Sequence, residues 1–200
     1  MDRASLESAA VEYSHLRGLL GVPLSLVFVL AAAGNTRWGP FGNTIVFLAA
    51  LVSIGAGWLL VSRFYDRHYG RVTLSRRQQT RAVVATAAVV PIVFVGSLLA
   101  RSEAGWSLDL PVNPIPAAFA VAMLIFHAVT VGLRTHHVVV LGALLGAGLL
   151  PVWDGGDPGN AGLVMCGAAV LLTGVLDHRL LVRGLGPARG LDLGDTGAGA

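Results

Sequence analysis

Apolar residues run along this chain in long unbroken blocks, not in the alternation or the 3.6-residue stripe of a water-soluble fold. Six blocks stand out, at 19–35, 41–62, 82–100, 114–133, 138–153 and 160–177. A helix needs about 20 mainly apolar residues to cross a hydrocarbon core of about 30 Å, and each block qualifies or nearly so. The fifth is the shortest; it extends into His136 and His137 or toward Pro151, or it sits in thinned lipid. The pattern predicts an all-α fold, a polytopic membrane helical bundle of about six transmembrane helices within residues 19–183. Before it, residues 1–18 read as a cytoplasmic, interfacial amphipathic helix with Leu6, Ala10, Tyr13 and Leu20 on one face. After it, residues 184–200 are rich in glycine with scattered aspartates and predict a disordered cytoplasmic tail.

The charges give this reading a direction. The N-terminal segment, the second and fourth connections and the tail hold Arg3, Arg17, Arg63, Arg67, Arg71, Arg76, Arg77, Arg81, Arg134, Arg179, Arg183 and Arg189. The opposite side holds only Arg37 and Arg101. Under the positive-inside rule both termini face the cytoplasm, and the protein is a multi-pass protein of the cell membrane. Trp38, Trp106 and Trp153 fall at the expected outer boundary, and Tyr13, Phe64, Tyr65 and Tyr69 at the inner one, the headgroup level that such rings prefer. Pro23, Pro91, Gly55 and Gly57 lie inside spans, where neighbouring helices satisfy freed backbone groups.

Composition agrees. Of 200 residues, 54% are hydrophobic and 12% charged, about half the charge of a soluble domain, and the mean hydropathy is +0.72. Dominant disorder, a disulfide scaffold and a collagen-like fibre are excluded, with a single cysteine and no three-residue glycine period. Every basic residue is an arginine, as a GC-rich coding bias produces. The basic balance would suit a nucleic acid, but the arginines act as topology signals and no recognition module accompanies them, so no nucleic-acid partner is expected. Residues 1–17 carry Asp2, Glu7 and Glu12 and do not read as a signal peptide.

His127 is the one ionisable residue well inside a predicted span. Thr130 and Arg134 follow at helical spacing on the same face of the fourth helix. Thr173 and Asp177 form an i, i+4 pair at the inner end of the sixth, and an Arg134–Asp177 contact would let two charges offset each other. The set is a possible intramembrane polar site for protons or anions. The alternative is helix packing through a neutral His127, with the two charges snorkelling to water. A second candidate is the basic run between the second and third spans. Arg63, Arg67 and Arg71 are spaced four apart, with Arg76 and Arg77 following, and such a cluster contacts anionic lipid headgroups or an acidic cytosolic partner. Gly142 and Gly146 form a GxxxG in the fifth helix, which allows close approach within the bundle or between protomers, packing within the bundle being the preferred reading; Met165 and Cys166 in the sixth read as packing residues.

Enzymatic signatures are not found. Ser62, Arg63 and His68 have the wrong spacing for a membrane phosphatase, and GxSG, HExxH and P-loop motifs are missing. Asp154 and Asp157 flank two glycines beside Pro158 and read as turn chemistry, not as a magnesium site. No catalytic, cofactor-binding or metal-ligating residue is therefore assigned.

Tyr65 with Tyr69-Gly70-Arg71-Val72 after the second span, and Leu176-Asp177-His178-Arg179-Leu180 after the last, resemble small uncharacterised actinobacterial integral membrane proteins of six spans. The resemblance implies a bacterial inner membrane and a role beside a transporter or regulator, and carries no catalytic residues. The expectation is a non-enzymatic accessory or regulatory membrane component. A small transporter or channel with His127 on its pathway is the alternative, and a membrane-embedded enzyme ranks third.

Overall fold

The computed structural model describes residues 17–68, 76–100, 113–130, 132–150 and 158–184. The expected N-terminal interfacial helix up to residue 16, the glycine-rich tail from residue 185, Tyr69, Arg71, Arg101, Trp106, Trp153 and the Asp154–Asp157 turn lie outside the described residues. Among the described residues all regular structure is helical. Six α-helices follow one another there: α1 Gly21–Asn35, α2 Thr44–His68, α3 Arg76–Ala100, α4 Pro114–Thr130, α5 Thr135–Leu149 and α6 Pro158–Gly184. Short 3-10 turns at Gly18–Leu20 and Gly39–Gly42 lead into α1 and α2.

Three helical stretches among the described residues are long and apolar enough to cross a membrane: Gly18–Asn35, Thr44–His68 and Gly159–Arg183. These are the features of a helical membrane protein. Helices α4 and α5 are apolar but shorter. Helix α2 is the extreme case, because no residue of its apolar span is buried within the chain. Ile45, Val52 and Leu60 all stand exposed, and a contiguous apolar surface of this kind calls for lipid or another helix.

Local chemistry sets the helix ends. Helix α1 closes in a Schellman arrangement: the Trp38 N–H reaches the Ala33 carbonyl at 2.9 Å and the Arg37 N–H the Gly34 carbonyl at 3.2 Å. Arg37 occupies the left-handed position (φ 51°) where glycine is usual. Asn43 caps α2, its Oδ1 accepting the Ile45 N–H at 2.9 Å. Asn113 precedes Pro114 at the start of α4 and accepts the Ile115 N–H at 3.2 Å. Its own N–H bonds the Gly148 carbonyl at the end of α5 at 2.8 Å. Helix α4 stops at Thr130, earlier than the hydropathy window at 133. The reason is Gly132, whose φ of 90° leaves the helix and whose N–H turns back to the His127 carbonyl at 2.8 Å. Arg134 is therefore extended at the N-cap of α5 and does not continue the face of α4, which corrects the shared-face expectation.

The core is made by α4, α5 and α6 through Phe119, Ala120, Leu141, Leu144, Cys166, Ala169 and Val170. From α1, Phe28 meets Phe119 edge to face at 5.1 Å. Helix α3 packs along α4, and α1 runs against α6. The α1–α6 contact uses small residues. A Cβ added at Gly18 would lie 1.9 Å from the Gly174 carbonyl oxygen, and one at Gly174 2.4 Å from the Gly18 oxygen. The GxxxG glycines behave otherwise. Gly142 and Gly146 are exposed, and a Cβ at either would meet nothing within 4 Å, while Gly148 makes the close approach instead, against Ala117. That corrects the expectation that Gly142 and Gly146 pack inside the bundle.

Two stability outcomes follow. Gly174→Ala forces backbone against backbone and should lower unfolding stability by about 1–3 kcal/mol, whereas Gly146→Ala should be neutral or slightly stabilising, read by circular-dichroism melting in detergent. Arg37→Gly relieves a left-handed side-chain conformation and should raise stability by about 0.5–1 kcal/mol in the same assay, the gain being reduced by glycine's extra unfolded-state freedom.

Candidate functional site

The tight turn at Gly132 brings the last turn of α4 beside the first turn of α5, and α6 crosses both. Asp177 of α6 is buried there and collects three cationic or hydrogen-bonding groups. His136 Nε2 lies 3.0 Å from its Oδ1 and His137 Nε2 3.1 Å from its Oδ2. The Arg134 Nη1 stands 3.7 Å from Oδ1. A carboxylate only accepts, so both imidazoles present Nε2–H to it. That choice makes the Nδ1 of a neutral ring an acceptor. The Nδ1 of His137, a residue only 1% exposed, finds no hydrogen-bond partner among the described residues.

His127 joins from α4 through its ring. Its ring stacks on that of His137 with centroids 3.9 Å apart and planes 16° from parallel. The His136 and His137 rings are 4.2 Å apart and tilted by 60°. The result is a chain of polar groups, from His127 through His137 to Asp177 and on to His136 and Arg134.

Of the residues singled out from sequence, His127, Arg134 and Asp177 thus come together, with Arg134 approaching Asp177 as the charges require. Thr130 and Thr173 do not contribute. The Thr130 hydroxyl donates to the Phe126 carbonyl at 2.7 Å, and that of Thr173 to the Ala169 carbonyl at 2.8 Å, each bonding back within its own helix. Neither hydroxyl is positioned as a nucleophile beside a base. Hydropathy misses His136 and His137, since it treats them only as an extension of the fifth span. The available signal is a histidine doublet close behind Arg134 at the mouth of an apolar helix.

A second polar knot lies on the other side of α6, at the same end of the bundle. Tyr65 of α2 is fully buried with Leu181, and Leu19 and Val61 pack around them. Its hydroxyl accepts the Leu19 N–H at 3.0 Å and shares a hydrogen bond with His178 Nδ1 at 2.9 Å. Burial and these two bonds make Tyr65 an interhelical pin. Arg17 pairs with Asp66, donates to the Ser62 carbonyl at 3.1 Å, and lies 5.3 Å from the Tyr65 ring centroid.

The basic run is the third feature of this end. Helix α2 continues to His68, so Arg63 and Arg67 lie one helical turn apart on one face, both exposed. Arg76 is exposed at the start of α3, and Arg77 follows it in that helix.

No protein family, curated protein or solved structure matches the chain.

Proposed function

We propose that this chain is a multi-pass protein of the bacterial cytoplasmic membrane, akin to the small actinobacterial six-span proteins, with six crossings and both termini inside. It works as a non-enzymatic accessory or regulatory component. The observation that carries the reading is α2: an apolar rod with no part of its span buried in the chain, running without a break into Arg63 and Arg67. Such a helix offers its shaft to acyl chains or a partner helix and its basic end to anionic headgroups or an acidic partner. Within the bundle, Asp177 is met by Arg134 and two imidazoles, a set of compensated charges that suits a scaffold.

Charge reversal at Arg63, Arg67, Arg76 and Arg77 to glutamate should abolish co-purification of a partner in native lipid while leaving the helical content intact. Undiminished association would overturn the accessory role. Topology is read separately: alkaline phosphatase fused after Gly105 or Gly156 should be active outside the cytoplasm, and fusions after His68 or Arg183 silent.

One observation favours a second reading, a small proton-coupled transporter. The stack of His127 on buried His137, itself bonded to Asp177, is a chain of titratable groups reaching into α4. Proteoliposomes would then show proton-dependent solute flux that His127→Ala eliminates; flux unchanged in that variant removes His127 from any pathway.

A further inference from the structure

Adjacent residues on a helix point about 100° apart, so a histidine doublet rarely serves one partner. At the first turn of α5 it does: His136 and His137 both aim Nε2 at the carboxylate of Asp177. One ligand atom from each of the three lies within 4.8 Å of the others. We propose that His136, His137 and Asp177 form a binding site for a divalent transition-metal ion of the Zn²⁺ or Co²⁺ class. The proposal holds whether the chain is an accessory component or a carrier.

Geometry supports it first. Tetrahedral coordination with bonds of about 2.0–2.1 Å keeps neighbouring donor atoms about 3.3 Å apart. The two imidazole nitrogens are now 3.0 and 3.1 Å from the carboxylate oxygens. A cation can take the place of the protons lying along these contacts once the three donor atoms, now within 4.8 Å of one another, close to that spacing. Each neutral ring then carries its proton on Nδ1 in place of Nε2, so the ligands keep their charge. Donor chemistry sets the class of ion: two imidazoles and one carboxylate favour borderline divalent metals, whereas calcium and magnesium call for oxygen ligands.

The second support is energetic. His137 is buried, with its Nε2 held by Asp177. A single hydrogen bond to Asp177 is a small return for enclosing such a polar ring, and an apolar residue would fill the space without that cost. Coordination of a metal stabilises the folded state far more than one hydrogen bond does. Access comes from the side of His136 and Arg134, whose side chains remain partly exposed. Three protein ligands leave a fourth position there for water or another small ligand.

Arg134 makes the proposal distinctive. Its guanidinium competes with an incoming cation for Asp177, at a distance already beyond a hydrogen bond. Removing that charge should tighten metal binding, whereas a purely structural clamp would only be weakened.

The test uses tag-free full-length protein in nanodiscs, stripped with chelator and titrated with Co²⁺ while the d–d absorption of four-coordinate cobalt is followed. Wild type should bind one equivalent, displaced by Zn²⁺. Asp177→Asn and His137→Gln should lose the signal, and Arg134→Gln should bind about tenfold more tightly. His68→Gln, which alters a histidine outside the cluster, should bind as wild type. Size-exclusion elution and helical circular dichroism report folding. Should the two buried variants misfold, His136→Gln, which alters a partly exposed ring, carries the test and should lose the signal. The proposal is overturned if folded wild type takes up no stoichiometric Co²⁺, or if uptake is unchanged in both His136→Gln and Arg134→Gln.

Discussion

The arrangement depends most on what two adjacent residues of α6 hold. Asp177 and His178 diverge around the helix, and each grips a different part of the bundle. Asp177 takes His136 and His137 from α5 and, through the ring stack, His127 from α4. His178 takes Tyr65 from α2, and Tyr65 holds the Leu19 backbone ahead of α1. In lipid, apolar side chains gain little by leaving one apolar medium for another, so packing and polar contacts decide how helices associate. With so few polar groups available, placing two of them side by side on one helix fixes both its rotation and its depth against its neighbours.

Close backbone approach supplies the other constraint. Between α1 and α6, Gly18 meets Gly174 with no room for a Cβ on either side, and Gly167 lies against Ser25. Such contact maximises dispersion and brings the backbones near enough for the polar pins to form beside it. Gly174 lies about one helical turn from Asp177 and His178, so the small residues and the polar ones act on the same stretch of α6. Helix α2, by contrast, is held chiefly at its Tyr65 end and leaves its apolar shaft uncovered.

How much of this is legible in the sequence depends on the range of the interaction. The helical class and the rough positions of the six helices follow from local hydropathy, a property of each segment taken alone. The Arg134–Asp177 approach is also legible, because two charges at the same end of neighbouring spans have few other ways to be compensated. The continuation of α2 past Arg63 follows from the absence of a breaker before His68. What sequence pattern misses depends on partners far along the chain or on a single turn. His136 and His137 acquire their meaning only from Asp177, some forty residues later. Tyr65 has the same composition whether it sits among headgroups or is buried against His178. One residue, Gly132, ends α4 and moves Arg134 from the face of one helix to the cap of the next. GxxxG misleads for a related reason: spacing states that a small face exists, not which helix lies against it.

The charge balance around Asp177 connects its structural and chemical roles. A lone carboxylate among apolar helices is costly, and Arg134 alone, at 3.7 Å and partly exposed, compensates it incompletely. Two imidazoles complete the compensation by donating hydrogen bonds, one to each oxygen, without requiring a second permanent charge. Histidine is the side chain that can do this and still change its role, because each ring can be a neutral donor, a cation or a ligand. Arginine would have locked the carboxylate in one bidentate pair, and asparagine or glutamine would have offered weaker, uncharged contacts. The groups that satisfy Asp177 therefore leave it exchangeable. That combination of a closed core and an adaptable polar end distinguishes this part of the bundle from the apolar packing in the rest of it.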